Sequence, residues 1–236
     1  MRIDQQPAYV LHARPYRETS LLLECLTRDH GRVGLVARGV RGERARLARA
    51  ELEPFLPLAL SWRMRGELGT LAGAEAAGAP QRLAGDALLA GLYLNELVVR
   101  LVARQDSHPE LFGAYALALG RLAAGESLAW TLRRFERDLL DALGYGLLLD
   151  RQAEDETPLQ PQADYVYLPE QGPQPWRGQP GPRVRGADLL ALAADRMPDP
   201  EGLAALRRMM RAVIAAHLGG GELRAWRVLG EALRHR

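Results

Sequence analysis

The chain has 236 residues, of which 47% are apolar and 25% charged, the balance of an ordinary folded domain rather than a disordered segment. It holds no run of roughly 18 apolar residues that would span a membrane, and Met1–Pro7 lacks the apolar core of a signal peptide, so a cytoplasmic, membrane-free protein is expected. Cys25 is the one cysteine and the five histidines are scattered, which excludes an internal disulfide and a thiolate zinc site; no metal and no cofactor is expected.

All 31 basic residues are arginine. Without lysine a Walker-type phosphate loop is impossible, and every basic contact is a guanidinium able to grip phosphate through two hydrogen bonds. The net charge is only +2, but it is unevenly spread. Residues 28–49 carry seven arginines against Asp29 and Glu43, residues 150–182 carry six acids against Arg151 and Arg177, and residues 183–236 carry ten arginines against six acids. Two basic ends flank an acidic middle, which suits an anionic partner for the ends.

Residues 8–76 read as strands in chain order. Ala8–Ala13 opens the pattern, Ser20–Thr27 follows, and the turn signal Asp29-His30-Gly31 leads into Arg32–Arg38, making a hairpin. Between Gly39 and Pro54 the alternation stops and arginines recur at 41, 44, 46 and 49. In the run from Pro54 to Met64, Leu56, Leu58, Leu60, Trp62 and Met64 share one face, and Leu68–Glu75 is a fifth strand. Five short strands in this length fit an OB-fold barrel better than a sandwich. From Pro80 the period becomes helical. One helix is read through Leu88–Leu101, and a second is opened by Ser107 as N-cap with Pro109 in its first turn. A third runs over Leu128–Leu143, opened by Ser127 or Glu126 and stopped by Gly144. Seven of the fifteen prolines fall between Pro158 and Pro182, so this stretch reads as loop, with Tyr165–Leu168 as one strand of a small hairpin. Helices return near Gly186–Ala194, Pro200–Leu218 and Glu222–Leu233. The expected architecture is α+β: a five-stranded OB-fold barrel over residues 1–79, then a mostly α-helical domain over residues 80–236 with an irregular Pro-rich insertion at about 150–185.

Val10–Leu21, Gly31–Gly39, Leu92–Leu97, Leu132–Glu136, Leu143–Tyr145 and His217–Gly220, in that order, resemble the RecO family of recombination mediators. Val10-Leu11-His12-Ala13-Arg14-Pro15-Tyr16-Arg17-Glu18-Thr19-Ser20-Leu21 is similar to its first two strands. Gly31-Arg32-Val33 with Val36-Ala37-Arg38-Gly39 is similar to its hairpin, with Arg38 where the family has lysine. Leu92-Tyr93-Leu94-Asn95-Glu96-Leu97, Leu132-Arg133-Arg134-Phe135-Glu136, Leu143-Gly144-Tyr145 and His217-Leu218-Gly219-Gly220 follow in the family's order. The resemblance implies an OB-fold followed by helices, binding of single- and double-stranded DNA, and annealing of complementary strands. It also implies three partners: the acidic C-terminal tail of the single-stranded-DNA-binding protein SSB, RecR, and, functionally, RecA. Two departures stand out. Many relatives carry a four-cysteine zinc site after the Gly-Tyr motif, where this chain has Asp150-Arg151-Gln152-Ala153-Glu154, and the C-terminal motif continues as Leu223-Arg224-Ala225-Trp226-Arg227 instead of the usual Leu-Lys-Ser-Arg.

The residues give this reading its chemistry. Arg38, Arg41, Arg44, Arg46 and Arg49 are the expected phosphate contacts, which bring affinity without sequence reading. Among the aromatics Tyr9, Tyr16, Phe55 and Trp62, the alternation assigns Trp62 to the core. Tyr16, beside Arg14 and Arg17 at a strand end, is the candidate for base stacking. Arg133 and Arg134, beside Phe112 or Leu139, are candidates for the carboxylate-ended SSB tail, against the plainer reading of arginines paired with neighbouring acids. His12 and Cys25 read as structural. Glu154-Asp155-Glu156 would suit a nuclease metal only if it were not a loop of solvated acids, so no enzymatic activity is expected. Competing readings are a protein adaptor for SSB and RecR with little DNA binding of its own, and an RNA-binding OB protein.

Overall fold

The computed structural model describes residues 1–40, 52–219 and 221–226. Its elements are β1 (Arg2–Tyr16), β2 (Ser20–Thr27), β3 (Gly31–Ala37), β4 (Leu58–Arg65), β5 (Leu68–Ala76), α1 (Gly85–Leu101), α2 (Pro109–Ala123), α3 (Leu128–Ala142), β6 (Asp164–Leu168), β7 (Gly172–Pro175), β8 (Arg183–Arg185), α4 (Gly186–Ala193) and α5 (Pro200–His217). The chain divides into two compact units, one of residues 1–125 with 224–236 and one of residues 126–223. Sequence reading alone puts the division at 79/80; in the structure α1 and α2 stay with the barrel.

The first unit is built on a closed barrel in the order β1-β2-β3-β5-β4, with β4 returning to β1 and β3 running parallel to β5. This is the OB-fold. Alternation drives it: Val10, Leu21, Leu23, Cys25, Val33, Leu35, Leu58, Leu60 and Trp62 all point into one core, and each strand turns its other residues outward. β1 begins at Arg2, well before the expected Ala8. It serves two neighbours, pairing with β4 through its first half and with β2 through its second, and its ladders shift register at Ile3/Gln6 and Val10/His12. Such bulges bend a strand around a small barrel, and they also break the alternation that marks strands in a sequence.

α1 and α2 pack on this barrel. Asn95 of α1 is buried; its Nδ2–H donates to the carbonyl of Leu11 at 2.9 Å, and the Tyr115 hydroxyl of α2 donates to Asn95 Oδ1 at 2.5 Å. A buried amide in contact with strand backbone needs both of its ends satisfied, and here both are. His108, not Ser107, occupies the N-cap of α2, without a side-chain capping bond, and Pro109 stands at the start of the helix.

The second unit joins α3, α4 and α5 to a three-stranded sheet in the order β7-β6-β8. The Ser127 hydroxyl caps α3 by accepting from Trp130 N–H at 3.4 Å. The sheet corrects the expectation of loop with one small hairpin. Pro173 and Pro175 lie on β7, the edge strand beside β6. An edge strand tolerates residues that cannot donate to a ladder, and for that reason proline-counting missed it. Tyr165 and Tyr167 are buried in β6, their hydroxyls accepting from the backbone N–H groups of Gln160 (2.9 Å) and Leu148 (3.1 Å). The expected helix over Glu222–Leu233 is described only as a helical turn at 224–226; residues 227–233 lie outside the described residues.

Candidate nucleic-acid interface

The outer face of β1–β2–β3 is where OB-folds commonly take their ligands. Cross-strand register divides it into rows. His12 stands opposite Glu24, which stands opposite Gly34; Arg14 is opposite Leu22 and Leu22 opposite Val36; Tyr16 is opposite Ser20.

The rows toward the β2–β3 turn are covered by the protein itself. Arg32 of β3 donates from Nε to the carbonyl of Val102 at 2.9 Å and pairs with Glu24 at 2.8 Å. Arg104 also pairs with Glu24, and Gln105 N–H donates to the Arg32 carbonyl at 2.9 Å, with a parallel bridge between Arg32 and Arg104. Gly31, at φ +61°, allows this approach, since a Cβ there would fall 1.7 Å from the carbonyl oxygen of Asp106. Nearby, Tyr9 is buried against Phe112 (5.4 Å between ring centroids) and Tyr115 (5.2 Å), and burial raises its phenol pKa.

The rows toward the β1–β2 turn differ. Arg14, Arg17 and Arg38 are exposed and make no ion pair among the described residues, although each is a full positive charge. Tyr16 is half-buried, with the Arg17 guanidinium 5.3 Å from its ring centroid. Val40 N–H donates to the Thr19 carbonyl at 3.0 Å, tying the exit from β3 to the β1–β2 turn. Arg14, Tyr16 and Arg38, picked from sequence, are therefore brought together, and Arg17 joins them. Arg41, Arg44, Arg46 and Arg49 lie outside the described residues. Tyr9, Phe55 and Trp62 are buried, which leaves Tyr16 alone of the four stacking candidates with an accessible ring.

The residues read as a tail-binding groove are split between the two units. Phe112 is on α2 in the first, packed on Tyr9. On α3, Arg133 is 5% exposed and paired with Glu136, Leu139 is fully buried, and Arg134 pairs with Asp195 with its guanidinium 5.8 Å from the Trp130 ring centroid. Arg133 and Leu139 thus contribute to the interior of their unit. A pocket of about 340 Å³ in this unit is lined by Asp138, Asp141 and Asp150 with Arg137, a lining that repels phosphate. Of the acidic run 154–156, Asp155 accepts from Thr157 N–H (3.1 Å) and its hydroxyl (2.6 Å), which lowers the carboxyl pKa. Among the described residues no three His, Cys, Asp or Glu side chains are grouped to hold a metal ion.

Sequence reading missed the roles of Asn95 and Glu96. Besides the Asn95 bond to β1, the two carboxylate oxygens of Glu96 accept from Arg224 N–H and Ala225 N–H, each at 2.8 Å. A carboxylate at the first free amides of a helical turn satisfies donors the turn cannot. No local signal announces a cap supplied from 128 residues away.

The family models for the recombination protein O N terminal and C terminal match residues 1–80 and 82–227. The chain belongs to the RecO family. That places it in DNA repair and recombination. The chain is 51% identical over 233 residues to the DNA repair protein RecO of Stenotrophomonas maltophilia strain K279a, covering 97% of each chain. It is 45% identical over 241 residues to that of Xanthomonas euvesicatoria, covering all of both, and 46% identical over 236 residues to that of Ralstonia nicotianae, covering 97% of this chain and 84% of the relative. Among the described residues no helix is long and apolar enough to cross a membrane.

Proposed function

We propose that this chain is a non-enzymatic mediator of recombinational repair: it binds single- and double-stranded DNA, anneals complementary strands, and with RecR helps to load RecA onto SSB-coated single strands. The observation that carries the reading is a set of exposed arginines, with no ion pair among the described residues, around an accessible tyrosine on the ligand face of an OB barrel, in a chain of this family. Guanidinium contacts to phosphate neutralise strand repulsion without reading sequence, as annealing of arbitrary complements requires. The test is binding of the full chain to a fluorescent single-stranded oligonucleotide across a salt series, beside a variant with Arg41, Arg44 and Arg46 changed to alanine. Each phosphate that the variant no longer neutralises should flatten the log–log salt slope by about 0.7, and annealing of complementary oligonucleotides should slow in step. No binding at low salt would overturn the reading and favour an adaptor that acts through SSB and RecR alone.

A further inference from the structure

We infer that the C-terminal segment of this chain, residues 227–236, is the partner of the outward face of α1: it prolongs the turn at Arg224–Trp226 into a helix that runs antiparallel to α1 and covers Leu92 and Leu88. The inference does not depend on the DNA reading above. Its first support is an apolar face with no cover among the described residues. At about 100° per helical residue, Leu88, Leu92, Glu96 and Val99 fall within about 80° of one another. The buried residues of α1, among them Tyr93, Asn95, Leu97 and Val98, lie outside that sector. Leu88 and Leu92, one turn apart, are 37% and 44% exposed, and Val99 beside them is half-buried. Exposed leucines scattered singly call for no account, but these form one contiguous patch.

The second support is a contact already made on that face. Glu96 accepts from the Arg224 and Ala225 N–H groups, each at 2.8 Å, so the C-terminal turn starts on this side of α1. The chain has returned to the first unit at Arg224, and Trp226 is half-buried. Any other occupant of the face would have to lie against or displace a segment that begins there. The third support is the pattern of that segment. Trp226, Leu229 and Leu233 recur at i, i+3 and i+7, one apolar stripe on a helix, while Arg227, Glu231 and Arg234 fall away from it. A helix this short, with Gly230 inside it, does not hold in water without an apolar surface to pack on. Length sets the direction. Residues 227–236 reach about 15 Å as a helix, and Leu88 lies about 12 Å along α1 from Glu96; in the other direction α1 ends at Leu101.

The test is hydrogen exchange of the full chain, read at the amides of residues 228–236. In the wild type these should exchange roughly ten-fold or more slowly than in an unstructured chain, as amides in a packed helix do. Changing Leu88 and Leu92 together to serine should abolish that protection and leave the amides of β2 and α2 as they were. Serine adds no charge, so attraction to the arginines of the segment does not enter. Leu117→Ser, at an exposed leucine of α2, should leave the protection intact. Exchange of residues 228–236 at the unstructured rate in the wild type overturns the inference, as does protection that survives the double serine variant. Protection that rises with protein concentration also overturns it and assigns the face to a second copy of the chain. DNA binding can stand or fall independently of each of these outcomes.

Discussion

The β1–β2 turn of the first unit and helix α3 of the second use the same residue type in opposite ways. Around the β1–β2 turn of the barrel, Arg14, Arg17 and Arg38 stand exposed and make no ion pair among the described residues. In the second unit those of α3 are engaged: Arg133 with Glu136, Arg134 with Asp195, and Arg137 with Asp138, Asp195 and the Leu192 carbonyl. Arg185 likewise joins Asp188 to Asp199, and Asp199 caps α5 through Gly202 N–H at 2.7 Å. The barrel closes by backbone ladders and an alternating core, so closure does not call on Arg14, Arg17 and Arg38, while Arg2, Arg28 and Arg32 elsewhere on it pair with Asp4, Asp29 and Glu24. The second unit has an irregular, proline-rich stretch to hold in place, and there arginine acts as a clamp on acidic turns. Arginine content alone says nothing about DNA; the presence or absence of an acidic partner does.

Removing a clamp should have the largest effect. Arg133→Ala takes the positive charge from beside buried Glu136 and should destabilise the second unit by about 3–5 kcal/mol, whereas replacing both residues by apolar ones of similar volume should recover most of that loss. Denaturant unfolding followed by hydrogen exchange in α3 measures both, and a double variant no better than the single one would mean the pair is more than a mutual neutralisation. Next is the neutral hub of the first unit. Asn95→Ala removes a hydrogen-bond partner from the Leu11 carbonyl and from the Tyr115 hydroxyl, at about 1–3 kcal/mol for each bond lost. The loss should appear as faster exchange of β1 amides while α3 is unaffected.

Alkali offers a further separation. Burial, partly offset by the bond from Leu148 N–H, pushes the Tyr167 phenol from its ordinary 10.0 up to about 12. The folded state therefore holds this proton where the unfolded chain has released it. The stabilisation is complete below pH 10 and is lost as pH rises toward 12. Tyr167→Phe should remove that loss from the second unit, while the first still weakens through Tyr115, whose phenol burial also raises; stability measured against pH for both proteins tests this. The smallest effect belongs to the exposed arginines around the β1–β2 turn. Changing Arg14, Arg17 and Arg38 to alanine should alter stability by no more than about 0.5 kcal/mol, as for surface positions without partners. A large drop in the melting temperature would show them to be structural and would erase the contrast between the units.

Much of this was legible in the residues. β2 lies where its apolar run put it, the Asp29-His30-Gly31 turn is in place, and Ser127 caps α3, because each is decided within a few residues of chain. Alternation also placed Trp62 in the core. Less was legible at the site. Arg14, Tyr16 and Arg38 could be picked because they flank strand ends, but Arg133 and Leu139 read as surface candidates and are interior.

The sequence by itself determined the barrel, the order of strands and helices, and the lack of cysteine ligands for zinc, since periodicity and composition are local properties. Only the tertiary structure decided which arginines are paired. Glu24 meets Arg104 across 80 residues and Arg134 meets Asp195 across 61. An ion pair formed over such a separation leaves no periodic trace, because it depends on where two distant segments pack and not on what either would do alone.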